Sequence, residues 1–278
     1  MNTPKSTSRN KQLLIISKYV EYFLKIKPFF YVFIRPMENY YFHKYKKYLG
    51  KDTLDFGCGD GFFKQIVFPN KRMVGLDVFG SDVHLAKTSM YKNITLYDGL
   101  KIPFKNNQFE SVISNSVLEH IPNLKKTVKE ISRIIKPKGY FLCSVMTEDW
   151  NRWLLGKKIL GDFYTNYMIK KQNHPSLLSE VQLENIFIKY GFEVVAKEKY
   201  LTHKVSNLLE ISHFLAIPSF LFHKIFGKWT LGLFANKSLI NFLSRFLFSE
   251  SEKAQKSSSL FFVLQKVLLI LQRFSEIW

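Results

Sequence analysis

The residues with the clearest chemical potential lie together in Thr53-Leu54-Asp55-Phe56-Gly57-Cys58-Gly59-Asp60-Gly61-Phe62. Glycines at alternate positions let the backbone turn sharply and let a ligand approach the main chain. The apolar run from Phe62 to Val67 carries Lys64 and Gln65 on one side, as the first turns of a helix would. A helix start offers unpaired N–H groups to a carboxylate or phosphate. The spacing departs from the G-x-G-x-x-G of dinucleotide sites, because an acid stands two residues before the first glycine. That carboxylate repels a pyrophosphate and suits a ligand bearing an ammonium and a sulfonium group.

Two further acids fall at predicted strand ends. Val74-Gly75-Leu76-Asp77 ends a second strand, and Asp77 there can accept both hydroxyls of a ribose or cap the helix that follows. Tyr97-Asp98-Gly99-Leu100 ends a third strand. Asp98 can accept from an adenine amino group while Leu100, Ile102 and Phe104 line the ring, or it can simply form an Asp-Gly turn. Past a fourth strand come Asn115, Ser116 and then Leu118-Glu119-His120, and His174 stands in Gln172-Asn173-His174-Pro175. Either imidazole can take a proton from an attacking hydroxyl, and either can equally serve packing or hold a loop. Transfer from a sulfonium needs an in-line approach and a deprotonated nucleophile, so a dedicated base is optional.

Three runs then bring a family into view. They are Asp98-Gly-Leu-Lys-Ile-Pro-Phe with Phe109 beyond it, Ser114-Asn-Ser-Val-Leu-Glu-His120, and Glu130-Ile-Ser-Arg-Ile-Ile-Lys-Pro-Lys-Gly139-Tyr-Phe. Together with the glycine loop they resemble the type 11 domain of class I S-adenosylmethionine (SAM) methyltransferases, a group that includes ubiquinone and menaquinone methyltransferases. The resemblance covers roughly residues 50–200 and, more loosely, the last strand; Lys138 stands where the family usually has glycine. It implies an α/β fold with a Rossmann-like seven-stranded mixed sheet. It also implies SAM contacts from Asp55, Gly57, Gly59, Asp77, Asp98 and Asn115, with Cys58, Gly61, Val78, Gly99, Leu100 and Ser116 completing the cofactor site. The implied reaction is methyl transfer to an oxygen of a small or lipid-linked acceptor, with His120 and His174 as candidate bases. No Asp/Asn-Pro-Pro-Tyr/Phe motif follows the fourth strand, which argues against amino-group methylation of DNA bases, and no Pro-Cys pair, which argues against C5-cytosine chemistry. An RNA-directed methyltransferase and a non-catalytic SAM-fold binding module stand as the alternatives.

The elements that must position these residues follow from patterning. The 278-residue chain carries a net charge of +19 and 46% apolar residues, which supports a large core with appendages. Residues 1–49 hold ten Lys/Arg against two acids, residues 50–200 hold 22 against 16, and residues 201–278 hold nine against four. The basic excess therefore belongs to the flanks. Cys58 and Cys143 are too few for a disulfide framework or metal cluster. No metal is expected, and no secretory leader or spanning helix, because no apolar run is long enough. Residues 1–10 are expected to be unstructured, with helical spacing from Lys11 to Phe33 broken at Pro28 and again at Pro36. Strands are expected at 53–56, 73–77, 94–97, 111–115, 140–145, 192–200 and 260–266, with helices at 37–48, 124–135 and 180–190. This divides the chain into a basic helical extension (1–49), a SAM-binding domain (50–200), an apolar and basic helical insertion (201–255) with Pro218 and Gly227 as breakers, and a last strand with a tail (256–278). Within 50–200, residues 147–178 are expected to cover the substrate. In both flanks basic residues alternate with aromatic and aliphatic ones. That pairing fits a cytoplasmic protein peripheral to an anionic membrane, or faces packed on the sheet or in a homodimer.

Overall fold

The structure, a computed structural model, describes residues 4–86, 88–175, 177–227, 229 and 235–267. Helices α1 (Pro4–Ile26) and α2 (Arg35–Lys44) precede strand β1 (Thr53–Phe56), α3 (Phe62–Val67), β2 (Met73–Val78), β3 (Tyr91–Tyr97) and β4 (Phe109–Asn115). Then come α4 (Leu124–Ile134), β5 (Ile135–Met146), α5 (Asp149–Trp153), α6 (Leu155–Gln172), α7 (Glu180–Lys189) and β6 (Phe192–Lys199). Helices α8 (His203–Phe226) and α9 (Lys237–Glu252) lead to β7 (Ser259–Lys266). The chain forms two compact units, one of residues 1–41, 149–168 and 199–259, the other of residues 42–148, 169–198 and 260–278.

The second unit is built on one sheet with strand order β3-β2-β1-β4-β5-β7-β6. The pairs β1–β2, β1–β4, β2–β3 and β4–β5 are parallel. Strand β7 runs the other way: the amide of Gln265 donates to the Lys138 carbonyl at 3.0 Å and the ammonium of Lys266 to that of Ile135 at 2.7 Å. The end of β7 thus lies at the beginning of β5, which makes the sheet mixed. Burial explains β1, whose four residues are all buried at the centre of the sheet. Helix α4 follows from Leu124, Val128, Ile131 and Ile134, which recur every three or four residues and face the core; Asn123 caps it by accepting the Lys126 N–H at 3.3 Å. Helix α7 begins with a capping box between Ser179 and Gln182. Chain order reverses between β1 and β4, so the crevice beyond the carboxyl ends of these strands is where such sheets receive ligands.

The first unit is helical, and it gathers pieces that are far apart in sequence. Segment 149–168, expected as a cover within the sheet domain, clusters with residues 1–41 and 199–259. Residues 4–10, expected to be unstructured, form the first turns of α1, where Arg9 pairs with Glu252 at 2.9 Å. Pro36 does not break a helix; it sits in the first turn of α2, where a missing N–H leaves no bond unmade. Pro218 lies inside α8 and bends it by 51° rather than ending it, while Gly227 closes the helix in the left-handed conformation. Of the expected C-terminal tail only Val267 is described, and Lys228, counted among the basic residues of the insertion, lies outside the described residues.

Candidate functional site

The glycine loop joins β1 to α3 at the carboxyl edge of the sheet. Gly57, Gly59 and Gly61 take φ values of +74°, +48° and +71°, a region that side-chain-bearing residues enter at a cost. The N–H groups of Gly57 and Cys58 both donate to the Leu76 carbonyl, at 2.8 and 3.2 Å, fastening the loop to the end of β2. A Cβ on Gly57 would strike Val117 at 2.4 Å, so that glycine is required by packing. A Cβ on Gly59 would meet nothing within 4 Å, so open space lies over that part of the loop. Asp60 accepts from the Phe62 N–H at 3.0 Å and starts α3.

The strand-end acids stand beside this space. Asp77 accepts the Gly59 N–H at 2.7 Å through one oxygen and the Val78 N–H at 2.7 Å through the other. Each oxygen keeps a further lone pair for a hydroxyl donor. Asp98 accepts from the Leu100 N–H at 2.8 Å, and a Cβ on Gly99 would touch Val78 at 3.6 Å, so the ends of β2 and β3 meet. Val78, Phe79 and Leu100 are exposed there and offer an apolar platform next to two carboxylates. Asn115 is fixed by the Ser144 hydroxyl, which donates to its carbonyl oxygen at 2.8 Å. Ser116, at φ +53°, donates its N–H to Ser144. Loop, Asp77, Val78, Asp98, Gly99 and Leu100 thus form one acidic and apolar edge, with Asn115 and Ser116 at the end of the neighbouring β4.

Asp55 is placed differently from the sequence expectation of a carboxylate facing a cationic ligand. It is 2% exposed and accepts the phenol of Tyr91 at 2.8 Å. Burial pushes its carboxyl up to about 7; Asp77 adds to the rise, while the Tyr91 hydrogen bond and the Lys64 ammonium oppose it. Its link to the loop runs through Tyr91, whose ring would lie 3.2 Å from a Cβ on Gly61. Cys58 is also buried, and its thiol is pushed up by burial and by Asp55 and Asp77, so it is not a thiolate nucleophile.

His120 and His174 come together although 54 positions separate them: their rings are 4.9 Å apart. The Nδ1 of His120 is 2.9 Å from the Asn173 carbonyl. A carbonyl only accepts, so Nδ1 carries the hydrogen and Nε2 keeps the lone pair of the neutral ring. Val117 links this pair to the loop, since its side chain lies against Gly57 and its carbonyl accepts the His120 N–H at 3.0 Å. His174 is buried, and burial, reinforced by His120, lowers it to about 4. Tyr91 and Ser144 lie outside the motif runs. A pattern search therefore passes over them, although each holds a site residue in place.

Over residues 33–197 the chain matches a family described as the methyltransferase domain. Among curated proteins it is 28% identical over 116 residues to the demethylmenaquinone methyltransferase of Symbiobacterium thermophilum, covering 38% of this chain and 46% of that one. It is 24% identical over 166 residues to the ubiquinone biosynthesis O-methyltransferase of Citrobacter koseri, covering 55% and 64%. The chain thus spans about half to just under two thirds of the length of these relatives. A SAM-dependent methyltransferase of Thermotoga maritima superposes over 91% of this chain and 97% of its own, with a TM-score of 0.54 at 15% identity. The Haemonchus contortus phosphoethanolamine N-methyltransferase 2, solved in complex with S-adenosyl-L-methionine, superposes over 79% and 49% with a TM-score of 0.52 at 19% identity. At these identities the two structures establish the fold.

Proposed function

Since the chain belongs to the methyltransferase domain family, we propose that it transfers a methyl group from SAM to an oxygen of a small or lipid-linked acceptor. The observation that carries this is the carboxyl edge itself: open space over Gly59, flanked by two strand-end carboxylates and exposed apolar side chains. This donor set fits the cofactor. Asp77 would accept from the ribose hydroxyls and Asp98 from the adenine amino group, with Val78 and Leu100 against the ring. Gly57, Cys58, Gly59 and Gly61 would present backbone to the amino-acid end, beside Asn115 and Ser116, and Asp55 would hold the loop through Tyr91. Acidic surroundings favour a sulfonium over a neutral thioether, which eases product release.

When bound, SAM supplies an electrophilic methyl whose bond to sulfur breaks as the bond to the acceptor oxygen forms, leaving a neutral thioether. His120 would receive the hydroxyl proton at Nε2, its tautomer held by the Asn173 carbonyl. His174, neutral around pH 7, would back that ring without adding a charge. Both curated relatives are named for quinones, which favours a small acceptor, and the Citrobacter koseri one is named an O-methyltransferase, which is the support for oxygen.

Titration calorimetry tests the donor site. SAM should bind with micromolar affinity, about 8 kcal/mol. Asp77→Ala should weaken it by about 1.5–3 kcal/mol per hydrogen bond lost to a charged acceptor. Unchanged affinity in a folded Asp77→Ala protein would remove that residue from the site. Labelled methyl incorporation into extract, separated into lipid, small-molecule and RNA fractions, identifies the acceptor class; label confined to RNA would reject the small or lipid-linked one. With that acceptor, His120→Ala should lower turnover about 100-fold while SAM affinity holds.

A further inference from the structure

Helix α8 buries several polar side chains and exposes a run of apolar ones. Its buried side carries Ser206, Glu210, Ser212 and Ser219 beside Val205, Leu209 and Ala216. Its exposed side carries Ile211, Phe214, Leu215, Leu221 and Ile225, spaced so that they share one stripe. The buried polar groups are served from within the unit. Ser206 bonds the Ser258 hydroxyl at 2.8 Å, Ser212 donates to the Leu209 carbonyl at 2.7 Å, and Glu210 accepts the N–H groups of Leu155 and Gly156 at 2.6 and 3.0 Å. A helix that satisfies its polar side internally and turns its apolar side outward has been arranged for a non-aqueous neighbour.

Helix α6 supplies a second outward apolar element. Gly161, at φ 60° and ψ −145°, interrupts it. A Cβ on Gly156 would fall 2.4 Å from the Tyr164 ring, yet residues eight apart in an unbroken helix are about 12 Å apart along its axis. The chain therefore bends sharply at Gly161. At the tip Ile159 is 84%, Leu160 56% and Phe163 78% exposed. Lys157 and Lys158 flank the tip, and the one acid on it, Asp162, lies 3.5 Å from the Lys157 ammonium. Glu210 joins the two elements, since it caps the start of α6 and immediately precedes Ile211.

We propose that the α6 tip and the outer stripe of α8 form a membrane-docking surface for a bilayer with anionic headgroups, lying in the interface without crossing it. Charge selects this occupant. Residues 1–41, 149–168 and 199–259 carry 18 Lys/Arg against seven Asp/Glu. That excess attracts acidic headgroups and opposes a second copy bearing the same charge. Among the described residues no single helix is long and apolar enough to cross a bilayer; the two arms of α8 reach that length and hydropathy only together, across the 51° bend at Pro218, and interfacial placement fits that bend. The inference stands apart from methyl transfer and is tested without it.

Vesicle co-sedimentation of the full chain compares phosphatidylcholine alone with phosphatidylcholine plus phosphatidylglycerol. Binding should need the anionic lipid and weaken with salt. It should fall more than tenfold in the triple variant Ile159→Gln, Leu160→Gln, Phe163→Gln, and about fivefold for each of Lys157→Gln and Lys158→Gln. In a Phe163→Trp variant, brominated acyl chains should quench the new fluorescence. SAM affinity by calorimetry should be unchanged throughout, which separates a failure here from a failure of the catalytic reading. A protein that ignores anionic vesicles at low salt overturns the proposal, as does one whose Phe163→Trp emission is untouched by bromine. A self-associating protein whose association, rather than lipid binding, is lost in the triple variant assigns the surface to a second copy.

Discussion

Helices α4 and α8 use similar residues to opposite ends. α4 buries Leu124, Val128, Ile131 and Ile134 and turns its lysines outward, as a helix on a sheet in water should. α8 buries serines and a glutamate and turns Ile211, Phe214, Leu215, Leu221 and Ile225 outward. Hydrophobic residues are therefore not in themselves a core; what decides is which face meets protein. The sheet unit is stabilised by apolar burial around a polar edge that can hold a ligand. The helical unit also has an apolar core, with Ile16, Val20, Phe23 and Leu247 buried, but on α8 hydrogen bonds from buried polar groups hold an apolar surface in place.

The largest expected effect tests that contrast directly. Ile131→Ala removes a fully buried side chain of the sheet unit and should cost about 2–5 kcal/mol in urea unfolding. Leu215→Gln, on the exposed stripe, should change stability in water by less than about 0.5 kcal/mol. Equal costs would mean that the outer face of α8 is covered by protein.

Next in size are two buried ionisable groups of the sheet unit, whose effects oppose each other. His174 is lowered to about 4, against about 6.5 in an unfolded chain. The unfolded state takes up a proton that the native state refuses, so this group's contribution falls as pH drops from about 6.5 to about 4, by roughly 3 kcal/mol in all. Asp55 is raised to about 7, against about 3.9 unfolded. The native state keeps a proton that the unfolded state loses, so this contribution falls as pH rises from about 4 to about 7. The two slopes largely cancel in the wild type. Asp55→Asn should expose a stability that rises between pH 4 and 6.5, and His174→Gln one that falls over the same window. Thermal unfolding across pH reads both, and parallel curves for all three proteins would rule out the linkage.

The smallest effect sharpens the helical side of the comparison. Glu210→Gln leaves the α6 start with one acceptor in place of a carboxylate and should cost about 1.5–3 kcal/mol, the range for a hydrogen bond to a charged group. Hydrogen exchange should quicken at Leu155 and Gly156. Unaltered exchange there would show that the α6 tip is held without Glu210.

The sequence by itself determined what depends on neighbours along the chain. Alternate glycines after an apolar tetrapeptide mark a strand, a tight loop and a helix start, and the structure shows β1, the loop and α3 there. Asp77 and Asp98 are legible as strand-end acids because period-two runs stop at them. Ser179 and Gly191 likewise bound α7 through backbone groups within a few residues. Family resemblance added the seven-stranded mixed sheet, which local patterning does not specify.

What only the tertiary structure decided depends on partners far away in sequence. Asp55 reads as a ligand-facing acid until Tyr91, 36 residues on, occupies it and the sheet closes around it. The two histidines look like independent candidates until the chain brings the rings together. Segment 149–168 looks like part of the sheet domain until Glu210 caps α6. The apolar count of α8 says how much hydrophobic surface it has, not which way it points. That direction follows from where Ser206, Glu210 and Ser212 find their hydrogen-bond partners, because a buried polar group must be paired while an apolar one can be left exposed.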